Sequence, residues 1–478
     1  MSPPQPTAAV LNPPSHLQPI QFPTHEDAPD VSPSARIICE LLVRVPPSTL
    51  EPALSAAAIF PTPALVEEVL RYSYNYPASA VKFFQWAGVG RKHAVGCWNL
   101  IVDLLGKNQL FEKMWEMLRA MRLEGAVNMA AFESAFGSYC TAKRVEDAVR
   151  CFDVLGEYGV EQDVVAVNSL LIAICKEEGM ASKAMEFFDR VREKVPPDGE
   201  TFTVLFERLE IEGDATKAQM LFEEMVLRIG LHPGNVRAYN ALLITLMKGS
   251  NLDEALKCLN VMKGKNCLPG LRFFSFAIDI LLKKKDSDNA MRVWEVMAGS
   301  GLIPSLVMCN AMVGLLTENK MIDDAFRILD EMPLHGVFPD ASTYNMIFSC
   351  LIKNKSVRET SGIFEEMIKN EYMPTPSNCA MAISMFFDQD DPEMSVEVWN
   401  YMVDNGVRDL DASANELLLG LYSLGRFQEL KSFSEDMLDR RVNIYDSTME
   451  KLQVVMSKIR NRRTVGDTCE NILKRRKA

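Results

Sequence analysis

The sequence predicts an all-α fold, an α-solenoid superhelix built from stacked antiparallel helix hairpins. A small residue or its apolar substitute recurs along most of the chain, at steps of 34, 36, 34 and 37 residues and then five steps of 35. A large apolar residue follows each of these seven positions later, and glycine and proline then end the unit. A helix hairpin of this length cannot bury its apolar face alone, so successive units must stack and share one core.

The recurring residues, which we call the anchors, lie in the second helix of each predicted hairpin. The anchors are Met114, Ala148, Ala184, Ala218, Ala255, Ala290, Ala325, Thr360, Ser395 and Leu430. The large apolar residues that follow them are Met121, Leu155, Val191, Met225, Met262, Met297, Met332, Met367, Met402 and Met437. A small anchor lets two helices approach closely, and a flexible methionine two turns later fills the gap beneath the next hairpin.

Each unit ends with residues that stop its second helix. Glycines stand where that helix needs a left-handed C-cap, at Gly125, Gly159, Gly301, Gly336 and Gly406. Prolines that prevent continuation follow at Pro197, Pro233, Pro269, Pro304, Pro339 and Pro374. An aspartate then precedes the next helix at Asp163, Asp198 and Asp340, where a carboxylate favours the helix start.

These signals divide the chain into a leader at residues 1–35, an N-terminal helical cap at 36–94, ten repeats and a closing segment at 446–478. The repeats are predicted at residues 95–128, 129–163, 164–198, 199–235, 236–270, 271–305, 306–340, 341–375, 376–410 and 411–445. In the cap we expect one helix from Arg36, a second with Ser48 as N-cap, a third from Pro63 and a fourth from Ser79.

The leader holds nine of the 25 prolines and no lysine or arginine, which predicts disorder. As a candidate transit peptide it is atypical, because such peptides are rich in arginine and serine. The closing segment predicts a helix from residue 446 and a basic tail. We interpret the KRRK run at residues 474–477 as a solvated end or a nonspecific phosphate contact, and a nuclear signal remains the alternative.

Composition limits the classes of function. The net charge of −13 and the pI near 5.1 lack the basic footprint of most nucleic-acid-binding proteins. The eleven cysteines include no Cys-x-x-Cys pair and no zinc spacing, so we expect buried free thiols in a reducing compartment. We expect no metal, no cofactor and no membrane span. The five histidines have no nucleophile pattern beside them and no phosphate-binding glycine loop is present, so we expect no enzymatic activity.

The repeat resembles the pentatricopeptide repeat. Its early Tyr-Asn stands at residues 239–240 and 344–345, and its closing Gly-x-x-Pro-Asp at residues 336–340. The tetratricopeptide repeat, with a period of 34 residues, is the rival, but its Trp-x-x-Leu-Gly-x-x-Tyr opening is absent and the dominant step is 35. The dominant step of 35 and the FFQWA at residues 83–87 are similar to plant organellar members of the pure 35-residue class.

The resemblance implies sequence-specific binding of single-stranded RNA in an organelle, one base per repeat. Such binding would act on transcript stability, processing or translation by occupancy. We expect a monomer in the mitochondrion, with the plastid as the alternative, and other organellar RNA-processing or ribosomal proteins as further partners. The alternative function is a protein-binding helical-repeat scaffold, such as a ribosome-associated or complex-assembly factor.

By the family's pattern, the fifth and the last residue of each repeat read one base. The base-reading candidates are Asn99, Asn128, Asn168, Asp198, Thr203, Asn235, Asn240, Ser275, Ser305, Asn310, Asp340, Asn345 and Thr375. Asn with Asp implies U, Thr with Asn implies A, and Asn with Asn implies C. The second, ninth and tenth repeats depart from this pattern, at Glu133, Ala380, Leu410, Asn415 and Tyr445.

Two further positions carry over from the family. The second residue of a repeat flanks the bases, and here it implies Val165, Arg237, Arg272 and Val307. The thirteenth residue faces the RNA backbone, and here it implies Lys107, Lys176, Lys248, Lys283 and Lys353. One basic stripe of this kind is compatible with an acidic total charge, because the outer helices can carry the acids.

Overall fold

The computed structural model describes residues 22–249 and 251–451, and all regular structure in these ranges is helical. The chain divides into two compact units, Met1–Gly270 and Leu271–Ala478. The predicted all-α stack of helix hairpins is confirmed within each unit. Most of the predicted leader, most of the closing helix and the basic tail lie outside the described residues.

The first unit contains the helical cap and five hairpins. Its helices are α1 Pro33–Arg44, α2 Leu50–Ala56, α3 Pro63–Arg71, α4 Pro77–Ala87, α5 Val95–Lys107, α6 Phe111–Leu123, α7 Met129–Thr141, α8 Val145–Asp153, α9 Val164–Cys175, α10 Ala181–Val191, α11 Gly199–Glu212, α12 Ala215–Arg228, α13 Val236–Lys248 and α14 Leu252–Gly264. A short 3₁₀ helix, Leu155–Tyr158, continues α8.

The second unit contains five more hairpins, and residues 446–451 after them are helical where described. Its helices are α15 Leu271–Lys284, α16 Ser287–Ala298, α17 Leu306–Glu318, α18 Ile322–Leu334, α19 Ala341–Asn354, α20 Val357–Lys369, α21 Pro376–Asp388, α22 Pro392–Asp404, α23 Asp411–Ser423 and α24 Phe427–Asp439. In both units the first helix of every hairpin begins at the residue where a 35-residue unit was predicted to begin.

The N-terminal region differs from the sequence expectation in three places. Helix α1 begins at Pro33, inside the predicted leader, because proline fits the first turn of a helix. Ser32 caps this helix, and its N–H and hydroxyl both bind the Glu68 carboxylate at 2.7 Å. Helix α2 has Thr49 rather than Ser48 as its N-cap, and α4 begins at Pro77, two residues before Ser79.

The core of each unit is built from the recurring apolar positions. All ten anchors and all ten large residues that follow them are at most 5% exposed. Neighbouring first helices pack on each other, α5 through α13 in the first unit and α15 through α23 in the second. The first helices therefore form a layer in each unit, and a residue at a fixed position on one first helix lies close to the next repeat.

Candidate nucleic-acid interface

The last residue of a repeat stands immediately before the first helix of the next repeat. Its side chain accepts a hydrogen bond from the third backbone N–H of that helix, as helix N-caps do. This cap is made by Asn128, Asp163, Asp198, Ser305, Asp340 and Thr375. Asn235 occupies the same N-cap position without a side-chain hydrogen bond. The capping bond holds most of the predicted base-reading residues of the last position at the start of a first helix.

Two of the predicted base-reading pairs are joined directly. The Asn168 Nδ2 donates to Asp198 Oδ1 at 3.1 Å, and Asn310 Nδ2 donates to Asp340 Oδ1 at 3.3 Å. These are the two pairs of asparagine with aspartate in the chain. Thirty residues separate the partners along the sequence, and stacking of successive first helices brings them together.

A third residue completes each of these pairs. The Thr201 hydroxyl lies 2.7 Å from Asn168 Oδ1, and the Thr343 hydroxyl lies 2.6 Å from Asn310 Oδ1. Both threonines are three residues after the aspartate and form a capping box with it. The sequence reasoning missed them, although the Asp-x-x-Thr spacing at a helix start was visible.

Three further asparagines of the fifth position bind backbone instead. Asn240, Asn345 and Asn415 each accept, through Oδ1, the N–H of the residue 30 positions later, at 2.8 Å. The amide groups of Asn345 and Asn415 also donate to backbone carbonyls on both sides. A fifth-position asparagine therefore connects the two ends of its own repeat as well as occupying the predicted base-reading position.

Other predicted pairs are not bonded to each other among the described residues. The Thr203 hydroxyl donates to the Gly199 carbonyl at 2.7 Å rather than to Asn235. The buried Asn99 Oδ1 has no hydrogen-bond partner in the described part of the chain. In the departing second repeat, Glu133 accepts a hydrogen bond from the Ser169 hydroxyl at 2.9 Å.

The predicted base-flanking residues fall into two groups. Val165 and Val307 are 57% and 78% exposed, a high exposure for valine that leaves both free for contact with a flat ring. Arg237 instead forms a two-point ion pair with Glu207 at 3.1 and 3.0 Å and approaches Glu200 at 3.4 Å. Arg272 lies exposed in the first turn of α15.

The predicted phosphate-facing lysines are all exposed, at or just after the last turn of a first helix. Lys107 pairs with Asp103 at 2.8 Å, and Lys248 lies 3.5 Å from Glu210. Lys176, Lys283 and Lys353 have no carboxylate within 4.0 Å among the described residues. Cations at a helix C-terminus also favour the helix dipole, so these lysines stabilise their own helices as well.

The aspartates of the two joined pairs are held in their charged form. Partial burial opposes ionisation of Asp340, but hydrogen bonds from the Thr343 N–H and from Asn310 outweigh it and lower the pKa of the carboxyl. The pKa of Asp198 is lowered in the same way, against burial, by Thr201 and Asn168. Each pair therefore presents a carboxylate beside an amide at neutral pH.

Other chemistry is limited within the described residues. They contain no group of three metal-ligating side chains, and none of their helices is long and apolar enough to cross a membrane. Their ten cysteines are free. Burial raises the thiol pKa to about 12 at Cys39, Cys140, Cys175 and Cys379.

The chain is a stack of helix hairpins, and most of their first helices carry a polar fifth residue close to the start of the next repeat. This arrangement defines a helical-repeat protein. The repeat models identify which one. The model of the PPR repeat family matches residues 304–353, the pentatricopeptide repeat domain matches residues 220–284, and the PPR repeat matches residues 96–125 and 342–372. These stretches of the chain therefore carry pentatricopeptide repeats.

Its sequence relatives carry the same repeat. Two mitochondrial pentatricopeptide repeat-containing proteins of Arabidopsis thaliana are 29% and 32% identical, over 188 and 158 residues. These stretches are 39% and 32% of this chain, and 36% and 28% of the relatives. A third Arabidopsis thaliana mitochondrial relative is 26% identical over 220 residues, 45% of this chain and 38% of the relative. The matched part of the chain thus spans between 28% and 38% of the length of these three relatives.

Two solved structures are also similar. The pentatricopeptide repeat protein PPR10 in complex with an 18-nucleotide psaJ RNA element is 21% identical, with a TM-score of 0.38, over 93% of this chain and 64% of that one. Yeast Rmd9p in complex with a 16-nucleotide target RNA is 13% identical, with a TM-score of 0.30, over 93% of this chain and 96% of that one. The family assignment rests on the repeat models and the sequence relatives.

Proposed function

We propose that this protein binds single-stranded RNA sequence-specifically in an organelle and acts on transcript stability, processing or translation by occupancy. The observation that carries the proposal is the pairing of Asn168 with Asp198 and of Asn310 with Asp340. Each pair joins the two residues of a repeat that family members use to read a base. The last five steps of 35 residues support its assignment to the pure 35-residue class.

The chemistry of the pair suits a base edge. An amide offers both donors and an acceptor, and a carboxylate offers only acceptors, so together they can discriminate between base edges. Exposed Val165 and Val307 supply apolar surface beside the pairs of their repeats, against which a splayed base can pack. The array implies the order C-x-U-A-x-x-U, then C or U, over its first eight repeats.

Charge supports the proposal at the ends of the first helices. Lys176, Lys283 and Lys353 are exposed and have no carboxylate partner among the described residues. A cation without a partner can bind a phosphate without first breaking an ion pair, so it contributes more to RNA affinity than a paired one. An acidic total charge is then no obstacle, because affinity depends on the local potential.

Direct binding to short RNAs tests the proposal. We expect the purified chain to bind an RNA of the implied order more tightly than one with the two U positions replaced by G. Asn310→Ala and Asp340→Ala should each reduce the preference for U at the seventh position by roughly three- to tenfold, since each removes about one hydrogen bond. Asp330→Ala, an exposed acid on α18 of the same repeat, is the matched control. Equal preference in all four proteins would refute the code assignment.

We place the protein in the mitochondrion, with the plastid as the alternative. The support is the mitochondrial naming of several Arabidopsis thaliana relatives. Imaging the full chain with a C-terminal fluorescent tag tests this, with a variant lacking residues 1–21 as the control. A signal confined to the cytosol or nucleus in the full chain would rule out this placement.

A protein-binding scaffold is the second candidate. The ion pair of Arg237 with Glu207 favours it, because a base-flanking arginine held by a carboxylate must break that pair to reach RNA. Glu133 in place of a base-reading amide favours it too. A protein complex that survives ribonuclease, with no binding of naked RNA by the isolated chain, would establish the scaffold role instead of RNA binding.

A further inference from the structure

We propose that Thr201 and Thr343 are positioning residues that set the base preference of the third and seventh repeats. Each belongs to the following repeat and holds the asparagine amide of the preceding one in a single orientation. The inference rests on the proposed RNA-binding function, since it concerns which base that site prefers. Neither threonine occupies a base-reading, base-flanking or phosphate-facing position of the repeat.

The geometry is the same in both places. The Thr343 hydroxyl lies 2.6 Å from Asn310 Oδ1 and accepts the Asp340 N–H at 3.1 Å. The Thr201 hydroxyl lies 2.7 Å from Asn168 Oδ1 and accepts the Asp198 N–H at 3.1 Å. Both threonines are 0% exposed, so water does not compete for these bonds. The site is therefore closed on its protein side.

The two partners of the amide have opposite requirements. Asp340 Oδ1 already accepts the Thr343 N–H at 2.9 Å, and a carboxylate can only accept, so it requires the NH₂ end of the Asn310 amide. The Thr343 hydroxyl has a single proton, and Asn310 Oδ1 at 2.6 Å is nearer to it than Asp340 Oδ1 at 3.0 Å. A flipped amide would place oxygen against the carboxylate and leave the hydroxyl proton without its nearer acceptor.

A fixed amide can offer a base only its remaining N–H. Uracil presents a carbonyl oxygen at the position where cytosine presents an amino group, so a fixed donor favours uracil over cytosine. An amide that is free to flip could accept from the cytosine amino group as well. The threonine thereby converts an adaptable asparagine into one that prefers U.

The first repeat provides the natural contrast. Asn99 occupies the same fifth position, but the third residue of the following helix is Ala131, which has no hydroxyl. The buried Asn99 Oδ1 accordingly has no hydrogen-bond partner among the described residues. The last residue of this repeat is Asn128 rather than an aspartate. By the family's pattern, Asn at the fifth position with Asn at the last implies C. The presence of a third-position threonine thus coincides with the two repeats assigned to U by an Asn–Asp pair.

Removing and restoring the hydroxyl tests the inference. The probes are two RNAs of the implied order that differ only in U or C at the seventh position. We expect Thr343→Val to lower the ratio of U to C affinity by roughly three- to tenfold, the worth of one hydrogen bond. Thr343→Ser should restore the ratio, because it returns the hydroxyl.

A matched control separates positioning from stability. Thr360→Val removes another fully buried hydroxyl in the same unit, which bonds the Ser356 carbonyl at 2.7 Å and does not touch Asn310. It should leave the U to C ratio unchanged. An unchanged ratio in Thr343→Val, or an equal fall in Thr360→Val, would overturn the inference while the proposed function stands.

The reverse substitution should introduce the proposed positioning bond into the first repeat. Ala131→Thr supplies the missing donor to Asn99, and we expect the preference at the first position to move from C toward U by several-fold. An unmoved preference at that position would count against the inference. If the unaltered chain shows no base preference at any position, the proposed function fails, and that outcome is distinct from a preference that the threonines do not affect.

Discussion

At the scale of the residue, asparagines at the fifth position make hydrogen bonds to backbone that stabilise the fold. Asn240 and Asn415 are 7% and 3% exposed, and each accepts the backbone N–H of the last residue of its own repeat. Asn415 does so in a repeat to which no base is assigned. Asparagine at this position is therefore not sufficient to indicate base reading, and its partner at the last position is the more informative residue.

The pKa of Asp340 gives a prediction at this scale. Its carboxyl pKa lies below the ordinary value near 3.9, so the stability it contributes is fully present above about pH 5 and is lost as pH falls through the lowered pKa. We expect Asp340→Asn to lower the urea midpoint at pH 7, and to differ less from the unaltered chain at pH 3. Asp330→Asn removes a charge from the exposed face of α18, and a loss of equal size and pH dependence there would contradict the prediction.

At the scale of the element, the hairpin ends in a left-handed residue after its second helix. Gly336 has φ 74° there, and the same position in other repeats holds Asn266, Glu371 and Arg441 at φ 53°, 57° and 59°. A residue in this left-handed region of φ costs roughly 1–2 kcal/mol unless it is glycine or asparagine. The hairpins that hold Glu371 and Arg441 here therefore carry local strain that the sequence period alone does not reveal.

This strain predicts opposite effects of two substitutions. Glu371→Gly should raise the free energy of unfolding by roughly 1 kcal/mol, and Gly336→Ala should lower it by about as much. Urea denaturation of the full chain measures both. The matched control is Gly362→Ala, a helical glycine of α20 with open space around its Cβ position, which should stabilise. A destabilised Glu371→Gly variant would show that Glu371 makes contacts that outweigh its backbone strain.

At the scale of the whole molecule, the first and the second helices of the hairpins differ in how their charged residues are placed. The net charge is −13, while exposed lysines recur at the ends of first helices in both units. Acidic residues pair with lysines on second helices, as Lys183 does with Glu146 and Lys257 with Glu254. A sum over the chain therefore conceals the surface on which RNA would bind.

Salt dependence tests that arrangement. Each phosphate contact on a single strand contributes about 0.7 to the slope of log affinity against log salt. Changing Lys176, Lys283 and Lys353 together to glutamine should lower the slope by roughly 2 and weaken binding to every RNA alike. The control changes Lys183, Lys257 and Lys369 on second helices, an identical change of net charge. Equal effects of the two triple variants would mean that the protein attracts RNA only through its total charge.

Much of the fold was predictable, and less of the candidate site. The hairpins and their buried faces follow from short-range periodicity, so the start of each first helix could be read from the chain. The start of the cap could not, because Pro33 reads as part of a proline-rich leader until α1 is seen to begin there. The ion pair of Arg237 with Glu207 was also missed, since these residues are 30 positions apart and on different repeats.

The sequence by itself determined the repeat, its period and which side chains enter the core, because these depend on spacing within one hairpin. Only the tertiary structure decided which polar atoms meet. Thr343 reaches Asn310 across 33 residues because one first helix stacks on the next, and that distance is set by the packing of buried side chains. Repetition encodes the helix hairpins locally, whereas the orientation of the Asn310 amide depends on the neighbouring repeat.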